Sequence, residues 1–452
     1  PVSGVALLGV LILRLVRGFS VVLVLLLLGL GVLVVATGGK ALIVLVKLGK
    51  LLIALALPAW VMIKSSSTLL FARFVPPRGR ELKREEAPRL YAHLDRIKDQ
   101  WGGPRIHHVL LTDEMNAAIA QHPRFGLVGW EKSYLILGLP LLQTLSEGEA
   151  LSVIAHEYGH LSGHHGRLGG FIYRFRSAWG NLQALSEQWT DWGSRLIARL
   201  FKWYAPYFNA YTFVFARQNE YVADRCSVEI AGQQAAASAL VRVNVASLYR
   251  DEKFWPSITR RIAEEPTPVK NRSGLWQDAL ASGIDQTNWS QYLDVAGQRK
   301  TDHLDTHPAL RDRLSAMGVA LDTLNTKPDK TASSAANLWL DPRLESIQSE
   351  LDKAWEDQVS GQWEERHAYL KTRGERMAAL NAQQTLTADD QWELIALLDE
   401  LEPETEPLSR IEALLGAAPD HLPALFRRGA LLLDRGDESG MADLEKVMQS
   451  DD

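Results

Sequence analysis

The stretch VIAHEYGHLSGHH (153–165) carries His156, Glu157 and His160 in the spacing H-E-x-x-H, with His164 and His165 just beyond. On an α-helix, residues four apart lie one turn apart on the same face, so the His156 and His160 imidazoles can reach a single cation. Imidazoles so placed suit Zn2+, which takes nitrogen ligands in a tetrahedral set. Glu157 is rotated by about 100° from His156, which puts its carboxylate beside the open coordination place rather than on it. There it can take a proton from water and pass it to a leaving amine. The spacing alone is only moderately specific, because unrelated helices carry it by accident.

A catalytic zinc of this kind needs a third protein ligand and leaves a fourth place for water. A third histidine close in sequence would require H-E-x-x-H-x-x-G-x-x-H. Gly163 matches the internal glycine, but Gly166 occupies the histidine position, and His164 and His165 are out of register by two and one. Those two read as solvated helix-end residues that complement the negative end of the helix dipole. The other source is a carboxylate on a separate helix. FARQNEYVADRCSVEIAG (215–232) places Glu220 and Asp224 one turn apart on a helix rich in Ala and Val. Glu220 can ligate the cation, and Asp224 can accept the remaining ring N–H of a liganding histidine. The competing reading is an exposed acidic pair; burying such a pair without partners would be unfavourable.

These helices need a scaffold. Ser146 followed by Glu149 has the form of a capping box, which predicts a helix from about residue 147. Upstream, EEAPRLYAHLDRIKDQWG (85–102) reads as a helix, while RIHHVLL (105–111), NAAIAQ (116–121) and SYLILG (133–138) read as strands bounded by turn residues. From Pro140 onward the periodicity is helical almost throughout. The expected fold is mainly α, an α+β arrangement with a small β-sheet near the start of the soluble part.

At 452 residues the chain is long enough for two or three domains, and its net charge of −5 gives no reason to expect a nucleic-acid partner. The distribution of charge says more than the sum. No Asp or Glu precedes Glu81, whereas nine Lys and Arg do. Two apolar runs, 19–37 and 41–63, fall in this basic front. They predict a transmembrane helical hairpin within residues 1–75. Lys47 and Lys50 leave open a single span followed by an amphipathic helix at the lipid surface. Basic residues flank both outer ends, which places the N-terminus and everything after residue 64 in the cytoplasm. Cys226 is the only cysteine, so no intrachain disulfide or multi-cysteine zinc site can form, and it reads as a buried, inert thiol.

The last part of the chain, 335–452, is acidic and helical in pattern. Residues 421–452 space small and large apolar residues as a tetratricopeptide (TPR) unit does, with Gly436 at the inter-helix turn, and 392–420 resembles an upstream copy. An ordinary helical extension is the competing reading. TPR-like helices would offer a surface for a protein partner.

HEYGH together with NEYVAD resembles the HtpX and CAAX prenyl protease family of membrane zinc metallopeptidases, which are gluzincins. MNAAIA (115–120) is similar to that family's segment before the edge strand that aligns substrate, and DTHPALRDRL (305–314) is similar to its late His-Pro motif. The resemblance covers about residues 85–320. It implies one Zn2+ per chain on His156, His160 and Glu220, with Glu157 as general base and acid and Asp224 behind the ligands. It further implies that His307 stabilises the developing oxyanion or holds the substrate backbone, that Arg313 supports it or the nearby acidic groups, and that Asn116, Ala117 and Ala118 line the substrate cleft. A polar surface turn is the competing reading for His307.

The implied organisation is a membrane anchor over 1–75, a zinc metallopeptidase domain over 76–330 with a helical arm at about 168–212, and the C-terminal region 335–452. Several relatives have two further spans at the arm; here charged residues such as Arg174, Arg176, Glu187 and Asp191 make spanning unfavourable. The arm's aromatic residues suit the headgroup boundary or a roof over the cleft, with a plain intradomain hairpin as the alternative. The expected function is a membrane-anchored zinc endopeptidase of a bacterial inner membrane, facing the cytoplasm and acting on protein or peptide substrates. The rival reading is a membrane-tethered scaffold with TPR-like helices and a non-catalytic zinc site.

Overall fold

The computed structural model describes residues 76–123, 131–161, 192–301, 307–325, 333–402 and 405–450, with scattered positions between 21 and 36. The chain divides into two compact units, residues 1–254 with 271–352 and residues 255–270 with 353–452.

The first unit is built on a sheet of β1 (Arg80–Glu81), β2 (Ile106–Thr112), β3 (Ala117–Pro123) and β4 (Glu131–Gly138), in the order β1–β2–β4–β3. β4 runs parallel to β2 and antiparallel to β3, so β3 lies at the sheet edge. The three strands expected from sequence are present. β1 is two residues long, too short for alternation to reveal it. Val109, Leu111, Leu135, Leu137 and Ile119 bury one face of the sheet. Helix α1 (Pro88–Trp101) contributes Leu90, Leu94, Ile97 and Trp101 to the same core, the three- and four-residue spacing of one helical stripe.

After β4 come the short helix α2 (Leu139–Thr144) and then α3 (Glu147–Leu161), which carries the histidine pair. α3 begins where the capping box predicts: the Ser146 backbone N–H and hydroxyl both donate to Glu149 Oε2 at 2.8 Å. Glu149 does more than cap. It is buried and also accepts from Ser238 and pairs with Arg242 at 3.2 Å, tethering the start of α3 to a later helix.

That later helix is α5 (Gln233–Tyr249), which follows α4 (Trp192–Ala231) after a one-residue break at Gly232, where φ is +93°. α4 is 40 residues long, or about 60 Å at 1.5 Å per residue. The expected arm at about 168–212 is therefore divided: residues 162–191, with His164 and His165, lie outside the described residues, and from Trp192 onward the arm is continuous with the helix that bears Glu220. Pro206 lies within α4 without ending it.

A π-helical turn (Arg250–Phe254) leads to α6 (Trp255–Glu264), followed by α7 (Arg272–Asp278), α8 (Gln286–Gln298), α9 (Leu310–Ala316), α10 (Ala335–Leu340) and α11 (Leu344–Asn381). Residues 335–352, which the sequence groups with the C-terminal region, pack in the first unit. The reason is Trp339, which is fully buried and donates its indole N–H to Glu147 Oε1 at 2.9 Å, while the Ala335 N–H donates to Leu145 O at 2.8 Å.

In the second unit, α6 and the later part of α11 are joined by the Trp363 indole N–H donating to Glu265 O and by His367 against Ile262 O. The helix pairs α12 (Ala388–Leu401) with α13 (Leu408–Ala417) and α14 (Leu422–Asp434) with α15 (Gly440–Gln449) follow. The pairs coincide with the two stretches read as similar units. Gly436 takes φ +77° in the second turn.

Of the N-terminal apolar runs, only scattered helical positions between Val21 and Ala36 are described, and their large side chains are exposed. Among the described residues no helix is long and apolar enough to cross a membrane, and the expected hairpin over 1–75 lies almost entirely outside them.

Candidate metal centre

α3 and α4 meet at small residues. A Cβ placed on Gly159 would stand 2.8 Å from Ala223 Cα and 3.1 Å from Cys226 Cβ, so glycine is what permits this approach. Beside it, the buried Ser227 hydroxyl donates to Ser152 O at 2.7 Å, tying the two helices together. Cys226 is fully buried, and burial pushes its thiol up to about 12, as expected of an inert packing residue.

This contact brings Glu220 to the histidine pair. His156 Nε2 and His160 Nε2 are 3.3 Å apart, His160 Nε2 is 3.4 Å from Glu220 Oε1, and His156 Nε2 is 3.5 Å from Glu220 Oε2. Ligand atoms at about 2.0–2.1 Å from a tetrahedral zinc ion stand about 3.3–3.4 Å from one another. Each imidazole thus has one Glu220 oxygen near such a separation, Oε1 for His160 and Oε2 for His156, and the three side chains can each offer one donor atom to a common ion. They are the one such group among the described residues.

The supporting groups fit the same ion. Asp224 Oδ1 lies 3.0 Å from His156 Nδ1, so the tautomer that donates Nδ1–H to Asp224 leaves the Nε2 lone pair for the cation. Arg313, from α9, clamps Asp224 with two bonds, Nε to Oδ2 at 2.9 Å and Nη2 to Oδ1. His307 places Nδ1 at 2.9 Å from Glu220 Oε2. It stands against the carboxylate of the third expected ligand while lining the adjoining cavity. Burial would raise the Glu220 carboxyl, but the bonds from His156 and His307 hold it well below the usual carboxylate range. Asp224 is held down likewise, with Arg313 and His156 opposing its burial. For Glu157 burial wins and pushes the carboxyl up, although His156 beside it opposes the rise. A carboxylate whose pKa is raised is a better proton acceptor.

Asn116 and Ala117 line the cavity next to the metal ligands, and Ala118 follows on the edge strand β3. The Asn116 carbonyl accepts from the Gly138 N–H at 2.8 Å and its side chain accepts from the Ala117 N–H at 2.9 Å, which fixes the entry to the strand. Ser227 and the α5 face bearing Leu240, Val243 and Asn244 carry no motif, Gly159 fills an unspecified place within HEYGH, and none of them was among the expected site residues. The only sequence signal for Gly159 is a helix-disfavouring glycine inside an otherwise regular helical pattern.

Comparison with family models reaches the same region. Residues 120–319 match the model of peptidase family M48. The M48 match spans a little under half of the chain and contains His156, Glu157, His160, Glu220, Asp224, His307 and Arg313. It supports a metallopeptidase of the M48 family, whose members are zinc-dependent. Comparison with curated proteins and with solved structures gives no match.

The charges around His156 predict a proton inventory. Burial lowers its basicity, but the bonds to Asp224 and Glu220 outweigh that and push its pKa up to about 9. Zinc requires the neutral imidazole. Below pH 9 the ion must displace this proton, so binding at pH 7 is expected to release about one proton from His156 and to tighten as pH rises, levelling off above pH 9. Calorimetric zinc titrations in buffers of different ionisation enthalpy measure the release; a value near zero at pH 7 would remove the assigned charge state.

Proposed function

We propose that this chain is a zinc-dependent endopeptidase. The observation that carries the reading is the set of 3.3, 3.4 and 3.5 Å separations among His156, His160 and Glu220, with the half-buried Glu157 alongside. Zinc held there supplies Lewis-acid polarisation of the scissile carbonyl and a lowered pKa for water in the remaining place. Glu157 takes the proton from the attacking water and delivers it to the leaving amine. Asp224, fixed by Arg313, keeps His156 in the tautomer that can ligate. His307 orients Glu220 and, lining the cavity, stands where it can donate to the oxyanion. The edge position of β3 supports an extended peptide pairing beside Ala117 and Ala118.

The apolar, basic N-terminal region supports attachment to a bacterial inner membrane with the catalytic domain on the cytoplasmic side, and hence membrane-associated or misfolded proteins as substrates. The helix pairs α12–α13 and α14–α15 support a TPR-like surface that recruits a protein partner. The test of the central reading is metal dependence. Purified protein is expected to hold one zinc per chain and to cut an unfolded protein substrate, to lose cutting when a chelator strips the metal, and to regain it when zinc is returned. Cutting that survives complete removal of the metal would refute it.

A further inference from the structure

We propose that Asp113, gripped by two buried arginines, sets the position of the edge strand β3 and, through it, the affinity for extended substrates. Asp113, Arg250 and Arg272 are positioning residues: none of the three lines the cavity beside the metal ligands. The inference rests on the endopeptidase reading, with substrate pairing along β3, and goes beyond it. Residues 113–116 connect β2 to β3. Because β4 lies between those strands, the connection must cross the end of β4. It passes directly over Gly138, where a Cβ would stand 1.6 Å from Glu114 O.

A crossing segment has no ladder to hold it, so its polar groups need other partners. Arg250, in the π-helical turn, donates from Nη2 to Asp113 O at 3.0 Å. Arg272, at the start of α7, donates from Nη1 to Asp113 Oδ2 at 2.9 Å. Both arginines are buried. Burial and the like charge of Arg272 lower the basicity of Arg250, and Asp113 opposes them. Arg272 is itself anchored. The Ser273 N–H and hydroxyl donate to the buried Asp352, whose Oδ1 is 3.8 Å from Arg272 Nε. Three residues after Asp113, Asn116 lines the cavity, and Ala117 begins β3. One side of β3 is bonded to β4, and the other is the sheet edge. A substrate added there is held by backbone bonds along the strand. A shift at the strand's first residue therefore misplaces several bonds at once. The metal ligands stand on other elements, α3 and α4, so loosening Asp113 should weaken the grip on long substrates and spare the chemical step.

The experiment uses zinc-loaded full-length protein with a blocked tetrapeptide and a blocked decapeptide that share the same central bond. Only the decapeptide extends far along β3. In the parent, KM for the decapeptide is expected about 10-fold or more below that for the tetrapeptide, the worth of two or three strand hydrogen bonds. Asp113→Ala, at a side chain already 41% exposed, should raise KM for the decapeptide about 10-fold with kcat unchanged and leave both constants for the tetrapeptide in place. Zinc content and the melting temperature check the fold. If this variant does not fold, Asp113→Asn keeps the shape, removes the charge and carries the same expectation. A decapeptide advantage that survives in the variant, or is absent from the parent, overturns the positioning role while the peptidase stands, as does an equal loss for both peptides. If the parent cuts neither peptide, the endopeptidase reading has failed separately. The positioning role is then read by hydrogen exchange, where amides of residues 117–123 should exchange faster in the variant, and unchanged exchange overturns it.

Discussion

Glu157→Gln is expected to lower peptide cleavage by about 10²–10⁴-fold, the range for loss of a general acid–base group, with zinc content unchanged. The substitution keeps the size of the side chain and removes its ability to accept a proton. Glu157 is not among the three side chains whose donor atoms converge, so the metal should remain. Burial pushes the carboxyl up from its ordinary value. Metal analysis alongside steady-state cleavage separates the outcomes. Loss of activity with loss of zinc would make Glu157 a structural part of the metal site, and unchanged activity would remove it from the reaction.

Gly159→Val is expected to cost the protein its zinc. A Cβ at this position would lie 2.8 Å from Ala223 Cα, a backbone atom that cannot swing aside, and 3.1 Å from Cys226 Cβ. The helices α3 and α4 would have to separate. Overpacking of this kind destabilises by about 1–3 kcal/mol. The functional effect is larger, because Glu220 is one turn before Asp224 on the displaced helix and ligand distances must hold to about 0.2 Å. Zinc stoichiometry and the melting temperature of the variant measure both effects. Gly148→Ala provides the control on the same helix, since its Cβ would meet only Ala235 Cβ at 3.7 Å. There, gain of helix propensity of up to about 1 kcal/mol should raise stability with zinc retained. A Gly159→Val protein with full zinc and an unchanged melting temperature would show that the helix contact does not set the site.

Much of this centre is written in local pattern. The four-residue spacing of His156 and His160 makes them neighbours on any regular helix, and Ser146 with Glu149 marks where that helix starts. Three strands were legible because apolar residues run through them and turn residues bound them. Glu220 and Asp224 stood out as an acidic pair one turn apart on a helix rich in Ala and Val, which implies partners without saying which.

The pairing itself is a property of the tertiary structure. His307 rests on Glu220 and Arg313 grips Asp224 across separations of roughly ninety residues, as the packing of α9 near α4 allows. The length of α4 was hidden because the aromatic and charged run before Phe215 has no clean helical stripe, and tertiary packing and backbone bonding decide its continuity. α5 carries no chemical motif at all, yet its Leu240 and Val243 face the reacting centre. Sequence by itself determined which side chains could bind a cation and on which helices they stand, because helix periodicity is a local consequence of backbone geometry. Only the tertiary structure decided that they meet, and what walls their cleft, because convergence depends on how closely distant backbones can pack, here set by a missing side chain at Gly159.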